Sequence, residues 1–313
     1  MKNTLYIVVP CYNEEACLDE TTKRLLDKLK QLISSQVIAK DSRIVYIDDG
    51  SKDKTWSKIE NLKSPVIGIK LSRNRGHQNA LLAGLMYAKD HADIVISMDA
   101  DLQDDINAID KMLEKYKDGY EIVYGVRSER KTDSAFKRNT ALAFYKIMNV
   151  LGAEVVYNSA DYRLMSKRAL EELSQYKEVN LFLRGLVPLI GLKSAEVEYP
   201  RAERFAGESK YPVKKMVKFA WDGITSFSIK PIRFVLWLGI IIFIISLIVT
   251  IYALITKLTG NAVSGWTFTT CSIWILGGLQ MASLGLVGEY IGKIYAESKA
   301  RPRYVIEKIV EHK

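Results

Sequence analysis

Two long uncharged stretches near the C-terminus constrain this chain more than any other feature. Phe234 to Ile255 (FVLWLGIIIFIISLIVTIYALI) runs 22 residues without a charged side chain, and Trp266 to Val287 (WTFTTCSIWILGGLQMASLGLV) runs another 22. As helices rising ~1.5 Å per residue, each would cover the ~30 Å hydrocarbon core of a bilayer. A pair of buried core helices is the alternative, but core helices of that length normally carry a polar stripe. The connector LTGNAVSG has only Lys257 beside it, whereas Lys214, Lys215, Lys218, Lys230 and Arg233 precede the pair and Lys293, Lys299, Arg301 and Arg303 follow it. Basic residues concentrate on the cytoplasmic side. The expectation is a multi-pass protein of the cell (inner or plasma) membrane, with both termini cytoplasmic and the connector outside.

Before residue 230 the pattern is that of a water-exposed domain. Short apolar, β-branched runs recur at Leu5–Val9, Ile44–Ile47, Val66–Leu71, Ile94–Met98 and Ile122–Val126. Amphipathic stretches separate them, such as Glu15–Ile33 with Leu18, Leu25, Leu26, Leu29 and Leu32 on one face. Alternating strand and helix signals predict a mostly parallel sheet with helices on both faces, and ligands of such sheets bind beyond the carboxyl ends of the strands. The segment Val213–Ile229 mixes lysines with Met216, Phe219, Trp221, Ile224 and Phe227. It reads either as an amphipathic helix lying along lipid headgroups or as a surface helix of the first domain.

The strand ends carry the chemistry. Pro10-Cys11-Tyr12-Asn13-Glu14-Glu15 follows the first run, Asp48-Asp49-Gly50-Ser51 the second, and Asp99-Ala100-Asp101-Leu102-Gln103 the fourth. Any one acidic pair after a strand would pass as a helix cap or turn, but three on one sheet edge imply hydrogen-bond donors or a cation to offset their repulsion. In an extended segment residues two apart point the same way, so Asp99 and Asp101 can share one cation–diphosphate unit, with the Gln103 amide as a neutral oxygen donor. Oxygen-only donors suit Mg²⁺ or Mn²⁺. No GxxxxGK[ST] follows a strand and no GxGxxG opens the first helix, which removes the main support for a P-loop or dinucleotide site.

The formal charge of +9 suits an anionic partner, whether nucleic acid, anionic lipid or phosphorylated substrate, without choosing among them. Three cysteines (Cys11, Cys17, Cys271) without CxxC spacing indicate neither a disulfide framework nor a zinc site, and a reducing compartment is the simpler reading. The apolar run in MKNTLYIVVPCYNEE is too short for a signal peptide, so the first domain is expected to stay on the cytoplasmic side.

The segments VVPCYNEE (8–15), IDDGSKDKT (47–55), NRGHQNALLAG (74–84), DADLQDD (99–105), GVR (125–127), RFAGESKY (204–211) and GEYIGKIYAESKARPRY (288–304) together resemble the family 2 glycosyltransferases. The likeness is to their polyprenyl-phosphate branch, which is dolichyl-phosphate mannose synthase-like and bactoprenol glucosyltransferase-like. It implies a GT-A (Rossmann-like) α/β catalytic domain, a nucleotide-diphosphate sugar donor, a divalent cation and inversion at the sugar carbon. Carried over by position, Pro10, Tyr12, Glu14, Ile47 and Asp49 would line the nucleoside pocket. Asp99 and Ala100 would meet the ribose and first phosphate, and Asp101 and Gln103 would hold the metal. Arg127, Arg204 and Lys210 would face donor and acceptor phosphates. Asp161 would sit near the acceptor, as base or as orienting group, with Arg163 fixing it or a phosphate. Asp101, Asp161 and Arg127 are thus the expected catalytic residues.

On this resemblance the chain divides into a catalytic domain (1–211), an amphipathic juxtamembrane segment (212–231), a first transmembrane helix (232–256), an external loop (257–265), a second transmembrane helix (266–290) and a cytoplasmic C-terminal segment (291–313). The implied reaction moves one sugar, glucose from UDP-glucose being favoured, onto undecaprenyl phosphate, with no nucleic-acid partner. N-acetylglucosamine, galactose and mannose donors stay open, as does another lipid or lipid-linked glycan as acceptor. None of the five tryptophans lies in the QxxRW context of processive relatives. Gly277, Gly278, Ala282, Gly285, Gly288 and Gly292 give the second helix a small-residue face, suited either to packing on the first helix or to homo-oligomerisation.

Overall fold

The computed structural model describes residues 2–128, 156, 158–200, 202, 225, 230–259 and 265–312. Nine elements alternate along the first part: β1 (Leu5–Cys11), α1 (Leu18–Ser34), β2 (Arg43–Asp48), α2 (Thr55–Glu60), β3 (Val66–Leu71), α3 (His77–Lys89), β4 (Ile94–Ser97), α4 (Ala108–Lys117) and β5 (Ile122–Arg127). Then come β6 (Ser159–Ser166), α5 (Lys167–Leu173), α6 (Leu183–Leu189), β7 (Ser194–Tyr199), the long helices α7 (Lys230–Leu258) and α8 (Trp266–Lys299), and β8 (Ile306–Glu311). The strands form one eight-stranded sheet in the order β7-β5-β6-β4-β1-β2-β3-β8. Pairing is parallel for β4-β1-β2-β3 and β5-β7, and antiparallel where β6 and β8 join.

All five expected strands form, and the amphipathic stretch becomes α1, starting three residues later than its pattern suggests. Period-two alternation sends Leu5, Ile7 and Val9 of β1 into one core layer with Leu18, Leu25, Leu29 and Leu32 of α1 and Ile109 and Met112 of α4. Tyr6 and Val8 face the other layer with Leu82 and Leu85 of α3 and Leu170 of α5. Each fully buried Leu or Ile contributes about 1.5–3 kcal/mol. The α3 backbone can approach the sheet because Gly84 has no side chain there: a Cβ would lie 2.4 Å from Ile47 Cδ1.

β6 breaks the rule that a central strand is apolar. All eight residues of SADYRLMS are buried, among them Asp161 and Arg163, which neutralise one another. β8 is the other unexpected strand. It lies beyond both long helices, in the segment 291–313, yet pairs antiparallel with β3, so the chain leaves the sheet and returns to its edge.

Helices α7 and α8 span 29 and 34 residues. Among the described residues no helix is long and apolar enough to cross a membrane. Some side chains of both helices lie outside the described set, while the full sequence carries the uncharged runs 234–255 and 266–287. A Cβ added at Gly277, Gly278, Gly285, Gly288 or Gly292 would meet nothing within 4 Å, so the small-residue face makes no close contact with α7 among the described residues. Most of the amphipathic segment 212–231 and of the connector 257–265 falls outside the described residues.

Candidate functional site

The site is assembled where β1, β2, β3 and β4 end side by side. Register places Pro10 opposite Ile47 and Cys11 opposite Asp48. Beyond them the loops are laced together. Asn13, in a left-handed conformation (φ 54°), donates its N–H to Ser51 Oγ (3.0 Å), its Oδ1 accepts from Lys52 N (2.8 Å), and Glu14 N donates to Thr55 Oγ1 (2.8 Å). Gly50 (φ +67°) closes the second loop against the third, where a Cβ would sit 2.6 Å from Asn74 N. Pro10, Tyr12, Glu14, Ile47 and Asp49 therefore lie at or just beyond the neighbouring ends of β1 and β2.

Asp49 points at the neighbouring loop. Its two oxygens accept from Arg75 N (2.7 Å) and Gly76 N (2.9 Å). Burial raises its pKa and these two N–H groups pull it back. Asp49 thus fixes the turn that launches α3, and with it His77.

After β4, Asp101 Oδ1 accepts from Gln103 N (3.1 Å) around Leu102, whose φ is 58°. Thr21 Oγ1 donates to Ala100 O (2.8 Å). Both expected metal donors are almost buried, Asp101 at 9% and Gln103 at 8% exposure. The Asp99 carboxyl is pushed up to about 6, first by burial and then by the charges of Asp104, Asp161 and Asp101, with His77 opposing. Among the described residues no group of three or more His, Cys, Asp or Glu side chains is arranged to hold an ion unaided.

Asp161 lies at the centre of a cationic ring. Arg163 Nη2 reaches its Oδ1 at 2.9 Å, and Arg184 of α6 brackets it through Nε (3.3 Å) and Nη2 (3.1 Å). His77 Nε2 stands 3.3 Å from Asp161 Oδ2 and 3.6 Å from Asp99 Oδ1, and Gln78 Nε2 donates to Oδ2 at 3.4 Å. Burial alone would raise the Asp161 pKa, but Arg184, the His77 hydrogen bond and Arg163 hold it well below the usual carboxylate range. Burial alone would likewise lower that of His77, and the Asp161 hydrogen bond with the Asp99 and Asp161 charges lifts it to about 9.

Arg127, expected to face a phosphate, is anchored beside the loop that follows β4. Its Nη2 lies 3.2 Å from Asp104 Oδ1, and Tyr199 OH donates to the same oxygen at 2.6 Å. Arg204 and Lys210 lie outside the described residues. The sequence pattern missed three members of the site. His77 and Gln78 fall inside the NRGHQNALLAG segment without an assigned role, and Arg184 has no local signal because it approaches Asp161 from 23 residues away.

A mostly parallel α/β sheet with carboxylates gathered at its strand ends, and no phosphate-binding glycine loop, lacks the hallmarks of a P-loop kinase or a dinucleotide dehydrogenase. The chain belongs to glycosyl transferase family 2, whose model matches residues 6–174. A second family model, the GtrB C-terminal hairpin, matches residues 230–294. The uncharacterized glycosyltransferase YkoT of Bacillus subtilis (strain 168) is 56% identical over 97% of this chain and 91% of its own length. The prophage bactoprenol glucosyl transferase homolog of Escherichia coli (strain K12) is 40% identical over 97% of this chain and 98% of its own. The bactoprenol glucosyl transferase of Shigella phage SfV is 41% identical over 96% and 97%.

Proposed function

We propose that this glycosyltransferase moves a single glucose from UDP-glucose to undecaprenyl phosphate, with inversion, at the cytoplasmic face of the membrane. The observation that carries the reading is that the match to bactoprenol glucosyl transferases runs the length of both chains, hairpin included. In this reading α7 and α8 cross the bilayer. Exposed Phe234, Trp237, Ile241, Ile248 and Tyr252 on α7 support that, since so much contiguous apolar surface is costly in water. The anchor then holds the site near a lipid that cannot leave the membrane, while the donor arrives from solution.

The residues fit a divalent cation. Asp101 and Gln103 offer one carboxylate and one amide, short of a full cage, which suits an ion that completes its shell with substrate phosphates. The Asp104, Asp161 and Asp101 charges that help raise the Asp99 carboxyl support the same assignment, since a cation would offset their repulsion. Bound there, Mg²⁺ or Mn²⁺ would supply charge neutralisation for the departing nucleoside diphosphate.

The acceptor is a phosphate monoester whose second pKa is ~6, so it brings its own negative charge and needs no strong base. Asp161 is poorly suited to proton removal, because His77, Gln78, Arg163 and Arg184 already donate to it. Its supported role is to orient His77 and Arg184 toward the anionic acceptor and to keep His77 charged. A screen of nucleotide release from UDP-glucose, UDP-N-acetylglucosamine, UDP-galactose and GDP-mannose, with and without undecaprenyl phosphate, tests the donor. UDP-glucose should show the largest lipid-dependent release. Faster lipid-dependent release from another donor would overturn the sugar assignment.

A further inference from the structure

The last turns of α8 are tied to the loop that delivers Arg184. Glu297, half-buried, accepts from Val179 N through Oε2 (2.8 Å) and from Asn180 N and Asn180 Nδ2 through Oε1 (both 2.8 Å). Six residues further on, Arg303 Nη1 donates to Tyr176 O (3.1 Å) and Glu178 O (3.5 Å). The far end of the same loop is held from α3, where Gln78 Oε1 accepts from Leu183 N (2.9 Å). Arg184 is the next residue, and its fork closes on Asp161.

From these contacts we infer that Glu297 is a positioning residue for sugar transfer, docking the end of the membrane stem onto loop 176–182 so that Arg184 meets Asp161 in register. The inference rests on the reading of Arg184 as an acceptor-side cation. Three donors converging on one carboxylate make an anchor with fixed geometry, since charge-assisted bonds to both oxygens leave the loop no rotation about a single contact. α6 has only seven residues, too short to hold its own orientation, so the loop before it needs an external support. α8 is continuous through Glu297. At ~1.5 Å per residue the carboxylate stands about 15 Å along the helix from Val287, where the uncharged run ends. The helix therefore acts as a ruler between the membrane and the loop. Beyond Arg303 the chain is fixed to the sheet edge, where β8 pairs with β3 and Ser72 N donates to Val305 O (3.0 Å).

The test uses the full chain in lipid nanodiscs with UDP-glucose and undecaprenyl phosphate. Glu297→Ala should lower kcat on the order of 10- to 100-fold, the scale of a catalytic group misplaced by about 1 Å, with KM for the donor unchanged. Glu297→Gln, which keeps one accepting oxygen, should fall between. In an Arg184→Ala background Glu297→Ala should cost nothing further, because both changes break one chain of contacts. Lys308→Ala, which removes an exposed pair between β8 and Glu60 of α2, should behave as the parent. Amide exchange without acceptor should rise across 178–186 in Glu297→Ala and stay unchanged in β1 and β4. Additive losses in the double variant, or unchanged exchange across 178–186, would overturn the inference. Absence of lipid-linked product from the parent would overturn the acceptor assignment alone, and the exchange comparison would still decide the docking.

Discussion

Replacing Asp161 by Asn removes one charge while keeping shape, and the structure sets what that should cost. Arg163 and Asp161 side chains are 1% and 5% exposed, with 2.9 Å between Nη2 and Oδ1. Breaking a buried pair by neutralising one partner costs about 3–5 kcal/mol, because the other charge stays buried. Arg184 and His77 are 28% and 32% exposed, so water screens their loss and each adds at most ~1 kcal/mol. Arg163 cannot turn to water: Nε is buried without a partner among the described residues, and Nη1 reaches only Leu183 O at 3.4 Å. At roughly 2–4 °C per kcal/mol for a domain of this size, a combined loss of about 3–7 kcal/mol lowers the midpoint by roughly 6–28 °C. Cys11 and Cys17 are buried in the catalytic domain, so the temperature at which they react with a thiol probe, in a Cys271→Ser background, reports on that domain alone. A midpoint within a degree or two of the parent, combined with lost turnover, would refute the structural argument and restore Asp161 as a base.

Asp101→Asn should reduce metal-dependent turnover on the order of 10²–10³-fold while the thiol-exposure midpoint stays near that of the parent; unchanged turnover would remove Asp101 from the metal site. Gly50→Ala places a Cβ 2.6 Å from Asn74 N at φ +67° and should cost about 1–3 kcal/mol, visible as a lowered midpoint together with weaker nucleotide binding by calorimetry. His77 titrates near pH 9 in the fold against 6.5 for an ordinary histidine. Its contribution to stability is therefore complete below about 6.5 and lost as pH rises through about 9. Midpoints measured from pH 6 to 10 should show that alkaline decline in the parent and a flatter one in His77→Gln.

The half of the sheet with parallel strands was legible because its strands are apolar runs bounded by polar loops, the pattern that burial on both faces imposes. The same regularity located the loops that follow β1 and β2 and the Asp99–Gln103 loop. β6 was not legible, because its buried Asp161 and Arg163 look like surface residues until their pairing is known. β8 was hidden by its place after two long apolar helices, and its exposed Ile306 and Ile309 give no alternation to read. Arg184 and Glu297 share that difficulty: each acts on a partner set by tertiary contact, 23 and 117 residues away, which no local spacing encodes.

The reaction at issue is transfer of glucose to a polyprenyl phosphate. The most direct measurement incubates the full chain in nanodiscs with labelled UDP-glucose, Mg²⁺ or Mn²⁺ and undecaprenyl phosphate, then extracts the lipid. A labelled, lipid-extractable product that releases its sugar in mild acid is the predicted result. Label that stays entirely in the aqueous phase, with the nucleotide-sugar either intact or merely hydrolysed, would contradict it.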